Sequence, residues 1–253
     1  MAILEIQDCV KRFGGLVAVK DLAMKLAAGD LFGLIGPNGA GKTTIFNLIT
    51  GVYTPDEGSI SLEGKSIHGK RPYQIAELGI SRTFQNIRLF QSMTVLDNVK
   101  LARHMRRNQR FVDALLHTRK MSSEEAEIER DALELLRIFN LEGFADELAR
   151  NLPYGSQRRL EIARALATKP KLLCLDEPAA GMNPQESLEL MNLIRRLRDE
   201  FHITILLVEH NMKVVMGVCE KIQVIDYGET IALGTPDEIQ ENPKVIDAYL
   251  GGG

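Results

Sequence analysis

The sequence predicts an α/β fold: a mainly parallel sheet with flanking helices, plus an antiparallel N-terminal β subdomain and an inserted α-helical subdomain. Three observations point there. Apolar runs of strand length, at 31–35, 171–176 and 203–208, alternate with helix-forming stretches, the pattern of βαβ crossovers that lays strands parallel. A glycine-rich turn at 36–43 joins the first of those runs to a helix. Between 94 and 150 the strand-like runs vanish and helix formers take over.

Each element has a local reason. Residues 4–13 alternate loosely and read as a strand; Gly14-Gly15 turns the chain into a second at 16–19. The run 31–35 ends at Gly36, and a helix follows over 42–49. Thr54-Pro55-Asp56-Glu57-Gly58 is a turn into an edge strand ending at Leu62. Pro72 suits the first turn of a helix that Gly79 stops after Leu78, and 80–84 returns to strand. Leu133, Leu136 and Leu141 alternate with Glu, Arg and Asp, giving amphipathic helices in the insertion. Helix 157–168, strand 171–176, helix 184–199, strand 203–208, helix 212–218 and strand 221–225 follow in turn. The tail, 236–250, reads as two short helices separated by Asn242-Pro243. The length suits one large domain or two small ones, and the chain is read as one domain over 1–253, its core formed by 1–93 and 151–253 and its helical subdomain by 94–150.

Composition excludes several classes. Hydrophobic residues make up 45% and charged residues 26%, which a disordered chain would not show. Thirty-one basic against thirty-four acidic residues give a net charge of −3, so the whole surface offers no attraction to nucleic acid or anionic lipid. Aromatics are only 6%, without Trp, so the core must be aliphatic. Cys9, Cys174 and Cys219 are scattered and form no C-x-x-C pair, the usage of reduced, buried thiols in a cytosolic protein. No basic leader opens the sequence and no apolar run nears the ~18 residues of a membrane span.

Gly36-Pro37-Asn38-Gly39-Ala40-Gly41-Lys42-Thr43 fits G-x-x-x-x-G-K-[ST] without a gap, between a strand and a helix, as the pattern requires. Glycines let backbone N–H groups turn inward on phosphate oxygens, and the positive end of the helix faces the same anion. The fold is thus expected to be a P-loop NTPase core. Lys42 should reach the β- and γ-phosphates, the Thr43 hydroxyl should ligate Mg²⁺, and Thr44 is a second hydroxyl for phosphate.

A second apolar strand, Lys171-Leu172-Leu173-Cys174-Leu175, ends in Asp176-Glu177-Pro178. Acids at a strand's carboxyl end sit where α/β folds bind ligands. Asp176 can complete the Mg²⁺ shell through water, and Glu177 can orient or deprotonate an attacking water.

With these residues in place the sequence resembles the ATP-binding subunits of ABC transporters, along nearly its whole length. The resemblance implies that Phe13 stacks on adenine, and that Gln85, in Thr83-Phe84-Gln85-Asn86, contacts Mg²⁺ or water and senses the permease. It also implies that His210, in Val208-Glu209-His210-Asn211, supports the γ-phosphate. Leu152-Pro153-Tyr154-Gly155-Ser156-Gln157 occupies the place of the family signature L-S-G-G-Q. In the family that signature covers ATP held by the other subunit, so Tyr154, Gly155 and Ser156 are expected to contact nucleotide across a dimer. Pro153 and Tyr154 depart from the signature serine and first glycine, Ser156 from its glutamine, and Asn183 from the usual aspartate of the segment 179–184.

Arg12-Phe13-Gly14-Gly15-Leu16-Val17-Ala18-Val19, Ser81 to Phe90 and the ending Asn242-Pro243-Lys244-Val245-Ile246-Asp247-Ala248-Tyr249-Leu250-Gly251 resemble the branched-chain amino-acid importer's ATP-binding subunit. The resemblance implies a peripheral ATPase on the cytoplasmic face of the inner membrane, using ATP and Mg²⁺. Its partners would be a second ATP-binding subunit, identical or a paralogue, transmembrane permease subunits and, indirectly, a solute-binding protein, with no nucleic acid. Urea or amide import, lipopolysaccharide export and soluble non-transport ATPases share much of the pattern. No Asn-Lys-x-Asp run is present to read guanine. Arg103, Arg106, Arg107, Arg110, Arg119 and Lys120 read as a solvated basic face in preference to a patch that approaches anionic headgroups or a permease.

Overall fold

A computed structural model of the chain describes residues 2–104 and 119–250, with the side chains of 119–123 and 250 left out. Arg106, Arg107 and Arg110 of the basic run, the side chains of Arg119 and Lys120, and the terminal glycines lie outside the described residues. The chain forms two compact units, Met1–Gln85 with Lys171–Gly253, and Asn86–Pro170. The second begins earlier and ends later than the 94–150 stretch marked by composition, because chain at both ends of that stretch packs with its helices.

The first unit holds a six-stranded sheet. Strands β3 (Leu31–Ile35), β7 (Leu172–Asp176) and β8 (Thr204–Val208) are buried at every position, as parallel strands covered on both faces must be. β8 lies between the other two, pairing Val208 with Leu34 on one side and with Asp176 on the other. β9 (Lys221–Asp226) runs parallel beside β3, and β6 (Ile80–Arg82) parallel beside β7. β10 (Glu229–Gly234) adds an antiparallel edge to β9. The sheet is mainly parallel, as the alternation of elements predicts, but β10 is an addition. Its polar start and half-exposed pattern gave no apolar run to read.

A second, antiparallel sheet has the order β2-β1-β4-β5, from β1 (Ala2–Phe13), β2 (Leu16–Ala27), β4 (Glu57–Leu62) and β5 (Lys65–Ser66). β2 runs eight residues past the expected end at Val19. Leu22, Met24 and Leu26 point inward between exposed neighbours, a period of two that the helix-forming residues Lys, Ala and Met obscure. These side chains join Leu4, Ile6 and Cys9 of β1 and Phe32, Leu34 and Phe46 in one core.

Helices α1 (Lys42–Ile49), α2 (Pro72–Leu78), α6 (Pro184–Phe201), α7 (Met212–Val218), α8 (Pro236–Gln240) and α9 (Pro243–Leu250) complete this unit. Asn183 caps α6: its side chain accepts the Glu186 N–H at 2.9 Å, and Glu186 Oε2 accepts the Asn183 N–H at 2.9 Å. The residue that departs from the family aspartate thus starts a helix.

The second unit packs α3 (Val95–His104) against α4 (Arg119–Ile138) and α5 (Tyr154–Ala167). Asn98, fully buried, accepts the Phe90 N–H at 2.9 Å and donates to the Phe90 and Thr94 carbonyls at 3.1 and 2.9 Å. Arg103, read as part of a solvated face, instead pairs with Asp131 of α4 at 2.5 Å. Opposite charges on facing helices hold it there.

Candidate nucleotide site

The carboxyl ends of the three adjacent strands β3, β8 and β7 release, in that order across the sheet, the turn at Gly36, the segment Glu209-His210 and the pair Asp176-Glu177. Parallel pairing alone therefore gathers sequence-distant groups at one edge of the sheet.

The turn needs its glycines. A Cβ on Gly36 would stand 2.0 Å from the Ile225 carbonyl oxygen, and one on Gly41 2.6 Å from the Ala18 oxygen, with φ at +106°. The strand β2 and the end of β9 thus press against the turn and fix its path. Gly41 is the N-cap of α1 and offers no side-chain cap to the first-turn N–H groups. Lys42 is buried, and its Nζ donates to the Gly36 and Pro37 carbonyls at 2.6 and 2.7 Å. Burial pushes its pKa below the ordinary lysine value, while Glu177 and Asp176 pull the other way. Thr43 is exposed and Thr44 half-buried in the same first turn.

Asp176, 5% exposed, takes Arg82 Nη2 on Oδ2 at 2.7 Å, and its N–H donates to Thr83 Oγ1 at 3.2 Å. Arg82 was not singled out from the sequence, since a lone arginine in a short strand carries no signal. Its Nη1 also donates to Asn47 at 2.7 Å and Thr50 at 3.3 Å, both on α1 or its cap. Phe46 and Phe84 lie 5.3 and 5.2 Å from the guanidinium. The expected strand through Phe84 stops at Arg82, where pairing with β7 ends.

Glu177 follows with φ at +47°, a left-handed conformation that a non-glycine residue holds only where its surroundings impose it. Its N–H donates to the Val208 carbonyl at 2.8 Å. Oε2 accepts from Gln85 Nε2 at 2.9 Å, and Oε1 lies 3.6 Å from His210 Nδ1. Gln85, Glu177 and His210 are thereby brought together.

Phe13 stands at the tip of the β1–β2 hairpin, 41% exposed, with its edge-on neighbour Tyr53 at 5.1 Å and Lys11 Nζ 5.5 Å from its ring. Tyr249 of α9 was missed as a neighbour of the cradle. Burial raises its pKa, and a hydrogen bond with the Gly36 backbone opposes that rise.

In the other unit, α5 starts at Tyr154 rather than Gln157, because Pro153 in an extended conformation can serve as the N-cap. Tyr154, Gly155 and Ser156 are therefore the first helical residues, with no side chain capping their N–H groups. The Tyr154 hydroxyl accepts from Arg158 Nε and Nη2 at 3.2 and 3.0 Å, and Gln157 donates to the Leu152 carbonyl at 2.9 Å.

Thr43, Asp176 and Gln85 offer hydroxyl, carboxylate and amide oxygens, the hard donors that Mg²⁺ takes. Among the described residues no three His, Cys, Asp or Glu cluster to cage a metal.

Residues 19–180 match the family described as ABC transporter, and residues 229–253 that described as branched-chain amino acid ATP-binding cassette transporter. The chain is 47% identical over 249 residues to the high-affinity branched-chain amino acid transport ATP-binding protein BraF of Pseudomonas aeruginosa, covering 98% of each. It is 47% identical over 250 residues to the Escherichia coli protein of that description, LivG, again over 98% of each. The lipopolysaccharide export system ATP-binding protein LptB of Acidithiobacillus ferridurans is 35% identical, over 98% of this chain and 97% of that one. The solved ADP conformation of MJ1267, an ATP-binding cassette of an ABC transporter, superposes with a TM-score of 0.85 at 33% identity, over 99% of both chains. The chain belongs to the ABC transporter family, as one of its ATP-hydrolysing subunits.

Proposed function

We propose that this ATPase powers import of branched-chain amino acids, as one of two ATP-binding subunits set peripherally against permease subunits on the cytoplasmic face of the inner membrane. The gathering of the cradle, Asp176, Glu177 and His210 at neighbouring strand ends supports the chemistry. The relatives at 47% identity and the match of the last 25 residues support the cargo. Among the described residues no helix is long and apolar enough to cross a membrane.

In this reading Phe13 stacks on adenine, and the backbone N–H groups of 36–44 and the Lys42 ammonium grip the triphosphate. Thr43, Asp176 and Gln85 would hold Mg²⁺, which when bound offsets charge on the β- and γ-phosphate oxygens. Glu177 accepts a proton from the attacking water as its oxygen bonds to the γ-phosphorus and the bond to the bridging oxygen breaks. His210 steadies the γ-phosphoryl group, whose charge Lys42 and the loop N–H groups share. Tyr154, Gly155 and Ser156 of a second subunit present their uncapped N–H groups to the same phosphate. Solute arrives through a solute-binding protein.

The test is uptake of labelled leucine by proteoliposomes holding the chain with its cognate permeases, partner ATPase and solute-binding protein. ATP-dependent uptake, lost with Glu177→Gln, is expected. ATP hydrolysis stimulated by some other solute, with no leucine uptake, would overturn the cargo and leave the ATPase intact.

A further inference from the structure

Glu209 is 1% exposed, and both of its oxygens are spent on backbone. Oε1 accepts the Ala179 N–H at 2.8 Å; Oε2 accepts the N–H groups of His210 and Asn211, each at 3.1 Å. Ala179 lies two residues beyond Glu177, in a tight turn closed by Ala180 N–H to the Glu177 carbonyl at 3.1 Å. Asn211 caps α7 through its own side chain, which accepts the Lys213 N–H at 3.1 Å. A buried carboxylate is costly unless hydrogen-bonded, and here burial does raise its pKa while the three N–H groups oppose the rise.

The position of the bonds gives them meaning. The β7–β8 ladder ends with Glu177 N–H on Val208. Past that point the two backbones diverge into separate loops. The Glu209 side chain takes over as the link between them, one oxygen on each loop.

We propose that Glu209 is a positioning residue for hydrolysis: it clasps the loop that carries Glu177 to the loop that carries His210, so that the water-activating carboxylate and the γ-phosphate contact keep a fixed spacing. This rests on the roles given above to Glu177 and His210. A glutamine at 209 has one acceptor oxygen and sets an amide NH₂ against one loop's N–H groups, so it releases one loop without changing size.

The experiment compares the parent, Glu209→Gln, Glu209→Asp and Glu177→Gln for ATP turnover, and the first three for amide exchange. Glu209→Gln should lower kcat about tenfold or more with KM for ATP within about twofold, since misplacement acts on the chemical step. Exchange should quicken in 178–182 or 209–212 and stay unchanged in β3 and α1. Glu209→Asp, one methylene shorter, should reach only one loop and show the same split; it carries the test if the glutamine variant fails to fold. Parent-like kcat, or unchanged exchange in both segments, would overturn the clasp. Parent-like turnover of Glu177→Gln would instead fault the base, and the exchange readout would still judge the clasp.

Discussion

Gln85 and Glu177 are joined by a hydrogen bond of 2.9 Å from amide to carboxylate, with His210 Nδ1 3.6 Å from the carboxylate's other oxygen. The carboxylate proposed to activate water is thus hydrogen-bonded by Gln85 and approached by His210, on segments that follow different strands. The backbone at Glu177 is left-handed, a conformation that its surroundings must hold in place. Replacing Glu177 by Gln preserves shape and removes the proton acceptor. Turnover should fall by about two to four orders of magnitude while ATP affinity stays near that of the parent. Phosphate release and equilibrium nucleotide binding measure the two separately; parent-like turnover would remove Glu177 from the role.

Lys42 holds its own loop through the Gly36 and Pro37 carbonyls. The same ammonium is the only charge that the cradle motif itself offers a triphosphate. Lys42→Ala should weaken ATP binding by about one to two orders of magnitude, the worth of one charge-assisted contact of about 1.5–3 kcal/mol. Calorimetric titration reads this directly, and unchanged affinity would count against the cradle.

Legibility followed the physics of each signal. The cradle, Asp176 and Glu177 stood out because glycine spacing and a strand-end acid pair are local patterns. Helices α1 and α7 matched the residues expected, since a glycine or a capping Asn marks their starts. What stayed hidden was produced by strand order. Arg82 meets Asp176 only because β6 lies beside β7, and Glu209 reaches Ala179 only because β7 lies beside β8. Neither pairing has a trace in spacing along the chain. Edge strand β10 was missed for a different reason: it alternates too weakly to rise above its polar neighbours.

The three cysteines read as buried thiols are buried and free. Burial pushes their pKa values up, to about 11 for Cys9 and about 12 for Cys174 and Cys219. Because the thiolate is the reactive form, none should react with iodoacetamide in the native protein at pH 8. All three should react in denaturant, counted by mass spectrometry. Rapid native labelling of any one would contradict the packing around it.

Arg82 and Asp176 form the most enclosed charge pair near the cradle, with side chains 9% and 7% exposed. Arg82 also spans to α1 through Asn47 and Thr50 and sits against two phenylalanine rings. Removing one member strands the other in a site that water barely enters. Arg82→Met should therefore destabilise the fold by about 3–5 kcal/mol. At roughly 2–4 °C per kcal/mol for a chain of this size, Tm should fall by about 10 °C. Combining it with Asp176→Asn removes the orphaned charge, so the double variant should melt above Arg82→Met alone. If instead the two losses simply add, the pair is not coupled, and Arg82 contributes through its ring and α1 contacts only.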